Sequence, residues 1–136
     1  MDKNNLWRFS ASDIVKATKA GEIRCIDVMT SVIGRMQKIN PKLNAVVIDL
    51  SEQALETAEN LDRDRENGEA CGPLHGVPIT IKINVDQKGY PTSNGVSALK
   101  DLLAPDDAPI VKNLKKAGAI IIGRTNTPEF SFRADT

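Results

Sequence analysis

The run Gly72-Pro73-Leu74-His75-Gly76-Val77-Pro78-Ile79-Thr80-Ile81-Lys82 narrows the possible folds more than any other part of this chain. A Gly/Pro turn feeds directly into an aliphatic, β-branched strand, and a lysine sits inside that strand. Successive strand side chains alternate, so Val77, Ile79, Ile81 and Ile83 share one face while Thr80 and Lys82 share the other. The apolar content predicts a strand over residues 77–83 that is buried on both faces, as in a mostly parallel sheet. Burial among apolar neighbours penalises an ammonium group, and a lysine kept neutral near neutral pH acts as a general base. The same residue also suits an edge strand, its stem on apolar surface and its head in water. Taken alone, the segment favours that second reading.

Upstream, the hydrophobic period predicts three helices across residues 10–66. Ser10 caps the first, with Asp13 in a capping-box arrangement, and Gly21 stops it. The second covers residues 25–39, with Val28, Met29, Val32, Ile33 and Met36 on one face and the methionines as core filler. Asn40-Pro41 ends it, because the residue before proline disfavours the helical region. Residues 44–50 read as a short strand. Ser51 caps the third helix, which turns Ala54, Leu55, Ala58 and Leu61 inward and a mixed-charge face outward, until Asn67-Gly68 breaks it.

Downstream, a loop rich in Gly, Pro, Ser and Asn spans residues 84–103, a length that points to function. Asp106 or Asp107 caps a helix through Ala117, Pro109 lies near its first turn, and Gly118 ends it. Residues 119–123 form a further buried strand. Strand, loop, helix, strand suits an α/β layer with a right-handed crossover. The expected fold class is therefore α/β, with N-terminal helices and part of a mixed, mostly parallel sheet. The chain reads as one domain, 1–136, divided into a helical part (10–66), a lysine-bearing strand and loop (72–103) and a helix–strand part (106–136).

Three blocks stand in a fixed order. The Gly-Pro-Leu-x-Gly-Val-Pro block runs through Lys82; Asn84, Gly89, Pro91, Thr92 and Gly95 follow; then comes Gly123-Arg124-Thr125-Asn126 with Glu129-Phe130. Together they resemble the amidase signature family, and the resemblance covers most of the chain. It implies an incomplete amidase signature fold and a Ser–cis-Ser–Lys triad that hydrolyses amides through an acyl-enzyme. Lys82 is the residue that the resemblance makes catalytic. A Gly-Gly-Ser-Ser-Gly-Gly stretch, with the bridging serine and part of the oxyanion hole, follows these blocks in the family, and the nucleophilic serine comes later. The chain reaches Thr136 before them, so it is expected to be an N-terminal part that is inactive alone. It departs from the family at Ile83, where Asp is usual, and at Val96, where Ser is common.

The remaining candidates suit structural roles. Ser93, Ser97 and Ser131 lack the glycine-rich setting of a family nucleophile and read as loop or cap residues. His75, the chain's single histidine, reads as turn packing. Asp86 is expected to bond nearby backbone N–H groups. Thr125 and Asn126 organise the turn after their strand, and Glu129 partners Arg124 or a backbone group. Cys25 and Cys71 fit no metal-ligand spacing and read as two reduced thiols, so no metal or cofactor is expected.

Charge limits the partners. Eighteen basic residues balance eighteen acidic ones, which leaves no footprint for nucleic acid. Lys112, Lys115 and Lys116 fall late in a helix and complement its dipole. The stretch from Met1 to Trp7 lacks the apolar core of a leader peptide, and no apolar run reaches membrane-spanning length, so a cytoplasmic protein is expected. The resemblance implies a small amide substrate for the complete enzyme, and neither nucleic acid nor membrane is expected as a partner. Strands taken from a larger sheet expose edges, so the chain by itself is expected to self-associate. The alternative is a non-catalytic module that oligomerises or complements a serine-bearing chain.

Overall fold

The structure, a computed structural model, describes residues 3–136. Met1 and Asp2, part of the stretch read above for a leader, lie outside the described residues. The order of elements is α1 (Ala11–Ala20), α2 (Cys25–Leu43), β1 (Val46–Asp49), α3 (Ser51–Glu66), β2 (Pro78–Lys82), α4 (Pro109–Lys116) and β3 (Ile120–Thr125). Short 3₁₀ segments occupy Lys3–Arg8, Ser97–Leu99 and Glu129–Ser131.

Helix α1 follows its sequence signals. The Ser10 hydroxyl oxygen accepts from the Asp13 backbone N–H at 3.2 Å and donates to the Asp13 carboxylate at 2.7 Å. Gly21 closes the helix in the left-handed region, φ 75°. The other helix ends are set by more distant groups. Helix α2 has no side-chain cap of its own at Arg24. Asp62 of α3 replaces it, accepting from the Cys25 N–H at 2.7 Å and the Ile26 N–H at 3.0 Å. A carboxylate at a helix N-terminus satisfies orphan donors and meets the positive end of the dipole.

Three helix-end expectations are corrected. Helix α2 runs through Asn40-Pro41 to Leu43. The Asn40 side chain holds the extra turn, its Oδ1 accepting from Ala45 and Val46 N–H at 3.0 and 2.9 Å. Asn44, left-handed at φ 50°, then turns the chain into β1. Ser51 does not cap α3: the N-cap is Leu50, and Asp49 accepts from both the Ser51 N–H and its hydroxyl. Neither Asp106 nor Asp107 caps α4, whose N-cap is Ala108. Asp107 instead accepts from the Lys88 N–H at 2.8 Å and Lys115 Nζ at 2.6 Å, and Asp106 pairs with Lys112. Two of the lysines assigned to the dipole therefore also have carboxylate partners.

Among the described residues the sheet has three strands in the order β1-β3-β2. Strand β3 is central, antiparallel to β1 and parallel to β2. Its residues from Ile120 to Arg124 are all buried. Gly123 stands where β1 crosses closely: a Cβ there would lie 2.5 Å from Val46 Cγ1 and 2.9 Å from the Ile48 carbonyl oxygen. Strand β2 corrects the expectation of two buried faces. Ile81 is buried, but Thr80 and Lys82 on this edge strand are exposed.

The sheet divides the core. Ile120, Ile122 and Val77 join the larger cluster with Val28, Met29 and Ala58 from the helices. Ile121 and Ile81 join Leu50 and Val111 in a smaller one. Both are built mainly from aliphatic side chains.

His75 lies in the turn before β2, with 1% of its surface exposed. Its carbonyl accepts from the Thr18 hydroxyl at 2.8 Å, while neither ring nitrogen has a partner. Burial pushes its pKa below the usual imidazole value. The folded state therefore resists protonation that the unfolded chain accepts, and stability falls as pH drops through the unfolded value of about 6.5. Urea unfolding is expected to show a stability plateau above about pH 7 that slopes downward toward pH 5, and His75→Gln is expected to lose that slope. An identical slope in the variant would assign the effect to other groups.

Candidate active site around Lys82

Strands β2 and β3 run parallel, with Lys82 paired to Thr125 in register. Both chain segments leave the sheet at the same edge, the carboxyl end, which is where open α/β sheets place their ligands. The Ile83 N–H donates to the Thr125 carbonyl at 2.9 Å, so the exits stay joined for one more residue. After β3 the chain turns back across the end of β2. The Asn126 N–H donates to the Ala45 carbonyl at 2.9 Å and its side chain to the Asn44 carbonyl at 3.3 Å, which bears out its expected role in the turn.

This turn brings Ser131 to Lys82. Lys82 Nζ lies 3.4 Å from Ser131 Oγ, Asn84 Nδ2 lies 3.4 Å from the same oxygen, and Thr127 Oγ1 lies 3.0 Å from it. The expectation that Ser131 serves only as a loop residue missed this placement. Its backbone, and that of Phe130, adopts the left-handed region at φ 60° and 47°. Neither residue is Gly or Asn, so nothing local in the sequence announced that turn.

The long loop is fixed by a buried cation. Arg124 has no exposed surface. Its Nη2 donates to the Val85 carbonyl at 2.7 Å and its Nη1 to the Pro91 carbonyl at 3.0 Å. The Tyr90 ring lies 6.0 Å from the guanidinium carbon. Burial pushes the Arg124 pKa down, opposed chiefly by the charge of Asp86. The expected Arg124–Glu129 pairing is thus corrected: Glu129 is exposed, and loop carbonyls take the guanidinium. Asp86 also differs from expectation, since its Oδ1 accepts from the Thr92 hydroxyl at 2.6 Å. Ser93 and Ser97 lie in the loop and its 3₁₀ turn. Cys25 is buried, Cys71 half-buried, and both are free thiols; burial pushes the Cys25 thiol well above its usual range. Among the described residues no group of three or more His, Cys, Asp or Glu side chains stands together to hold a metal.

Lys82 at the carboxyl edge, the Gly/Pro turn behind it and the Arg124-held loop beside it all lie within one family match. The family model described as Amidase matches residues 27–136. The chain belongs to the amidase family.

This amidase chain is 54% identical over 134 residues to the indoleacetamide hydrolase of Bradyrhizobium diazoefficiens, covering 98% of this chain and 26% of that protein. It is 35% identical to an acylamidase of Rhodococcus erythropolis, over all of this chain and 28% of that protein. It also superposes on a bacterial aryl acylamidase of the amidase signature family at TM-score 0.85 and 32% identity, covering 92% of this chain and 26% of that one. The amidase chain thus spans about a quarter of the length of the curated relatives it matches. No described helix is long and apolar enough to cross a membrane.

Arg124→Met removes both donors and leaves two loop carbonyls facing an apolar side chain. The expected loss is about 2 kcal/mol or more in urea unfolding, with faster amide hydrogen exchange concentrated in residues 84–103. An unchanged midpoint and unchanged exchange there would show that the loop is held by other contacts.

Proposed function

We propose that this chain is the lysine-bearing part of an enzyme that hydrolyses a carboxylic amide to the acid and ammonia or an amine, with Lys82 as its general base. The observation that carries the reading is the position of Lys82, on the open face at the carboxyl edge of two parallel strands and inside the matched family region. In this reading Lys82 Nζ, as the free amine, takes a proton from a bridging serine as that serine takes one from the nucleophilic serine. The nucleophile attacks the amide carbonyl, and the C–N bond breaks as the proton returns to the leaving nitrogen. Water then attacks the acyl-enzyme and releases the acid. Neither serine occurs among the 136 residues in the expected glycine-rich setting, so the rest of the enzyme supplies them. We place this enzyme in the cytoplasm, where two unpaired thiols remain reduced.

The 54% identity to an indoleacetamide hydrolase supports an indoleacetamide-type primary amide as substrate. Lys82→Ala in the complete enzyme is expected to lower kcat for ammonia release from indoleacetamide by about 100-fold or more. Hydrolysis at the unmodified rate would remove Lys82 from the mechanism.

A second reading is favoured by surface composition. Phe132 is 85% exposed, and Leu102, Leu103, Ile110 and Phe130 are also exposed. Thr80 and Lys82 are exposed as well, and β2 is an edge strand of the sheet. Apolar patches and free strand edges promote association. On this reading the 136-residue chain, made alone, oligomerises or complements a serine-bearing chain. Light scattering at micromolar concentration is expected to give at least a dimer's mass; a monodisperse 14.8 kDa monomer would oppose it.

A further inference from the structure

We propose that Ser131 is a positioning residue for Lys82: its hydroxyl oxygen holds one N–H of the lysine and so aims the rest of that nitrogen at the incoming hydroxyl group. The proposal rests on the reading of Lys82 as the base and adds a residue to it.

A serine hydroxyl has two acceptor lone pairs and one donor hydrogen. Lys82 Nζ and Asn84 Nδ2 both stand 3.4 Å from Ser131 Oγ, and each brings N–H donors. These two fill the acceptor positions. The hydroxyl hydrogen is then left for Thr127 Oγ1 at 3.0 Å. Thr127 is buried, 4% exposed, and so anchors the serine from below. Ser131 therefore presents a lone pair, not a hydrogen, to Lys82. An amine that donates one N–H in that direction has its own lone pair turned elsewhere, as proton acceptance requires.

The backbone supports the same assignment. Two consecutive residues without glycine's freedom, Phe130 and Ser131, take left-handed φ values. Such strain persists only where surrounding contacts over-determine it. Here the Phe130 N–H donates to the Asn94 carbonyl at 2.8 Å, the Ser131 N–H to Pro128 at 2.8 Å and the Phe132 N–H to Glu129 at 3.0 Å. Because these N–H groups are all engaged, they offer no oxyanion hole beside Ser131. That separates a positioning role from a nucleophilic one. The two 3.4 Å distances are long for N–H···O bonds, as is usual for catalytic contacts before substrate arrives.

Ser131→Gly tests the proposal, since glycine keeps the left-handed backbone and removes only the hydroxymethyl group. In the 136-residue chain, acetylation of Lys82 by an activated ester is read by peptide mass spectrometry against exposed Lys100. The Lys82 to Lys100 rate ratio is expected to rise about threefold when the restraining contact is lost, the scale of one weak hydrogen bond. In the complete enzyme, kcat is expected to fall about tenfold with KM unchanged. An unchanged ratio overturns the proposal, and so does a raised ratio with unchanged kcat. A raised ratio in a complete enzyme that hydrolyses no amide keeps the contact to Lys82 and removes the amidase reading instead.

Discussion

The guanidinium of Arg124 is fully enclosed, and the long loop after Lys82 is fastened by it. A cation there has lost its water, and it persists because rigid, planar donors meet fixed carbonyls. Those carbonyls belong to Val85 and Pro91, so one side chain from the central strand fixes the first stretch of the long loop. The support continues outward: the Tyr90 hydroxyl donates to Gln53 of α3 at 2.8 Å. A loop rich in Gly and Pro is thereby tied to β3 and, through Tyr90, to α3. Lysine in place of Arg124 would offer a compact charge without the planar fork that reaches both carbonyls.

From that anchor, the parallel register of β2 and β3 does the rest. Lys82 ends one strand opposite Thr125 near the end of the other. Whatever follows Thr125 must turn within a few residues of the lysine, and the turn that forms delivers Thr127 and Ser131 to it. The same geometry leaves the Thr80–Lys82 face open. Openness here gives access to the groups that a lysine base would serve.

The misread helix ends share one cause. Asn40-Pro41, Ser51 and Asp106-Asp107 each carried a sound local signal, yet other groups took over. Asn40 stayed helical because its own side chain caps the following turn. Ser51 lost the cap position to a shift of one residue, with Asp49 holding its N–H and hydroxyl. Asp107 turned to Lys88 and Lys115. Helix α2 is capped from α3 by Asp62, a partner 37 residues from Cys25 in sequence. Local reading succeeded where the cap is truly local, at Ser10, Asp13 and Gly21.

The residue order by itself determined the family, the strand that carries Lys82 and the approximate positions of the helices. These follow from motifs and periodicities contained within short windows of chain. Tertiary structure alone decided that β2 is an edge with one open face, that Arg124 grips loop carbonyls and not Glu129, and that Ser131 meets Lys82. Each of these depends on which segments become neighbours across the sheet. That pairing is set by burying Ile120, Ile121 and Ile122 between two apolar clusters, a condition satisfied only when distant parts of the chain close around β3.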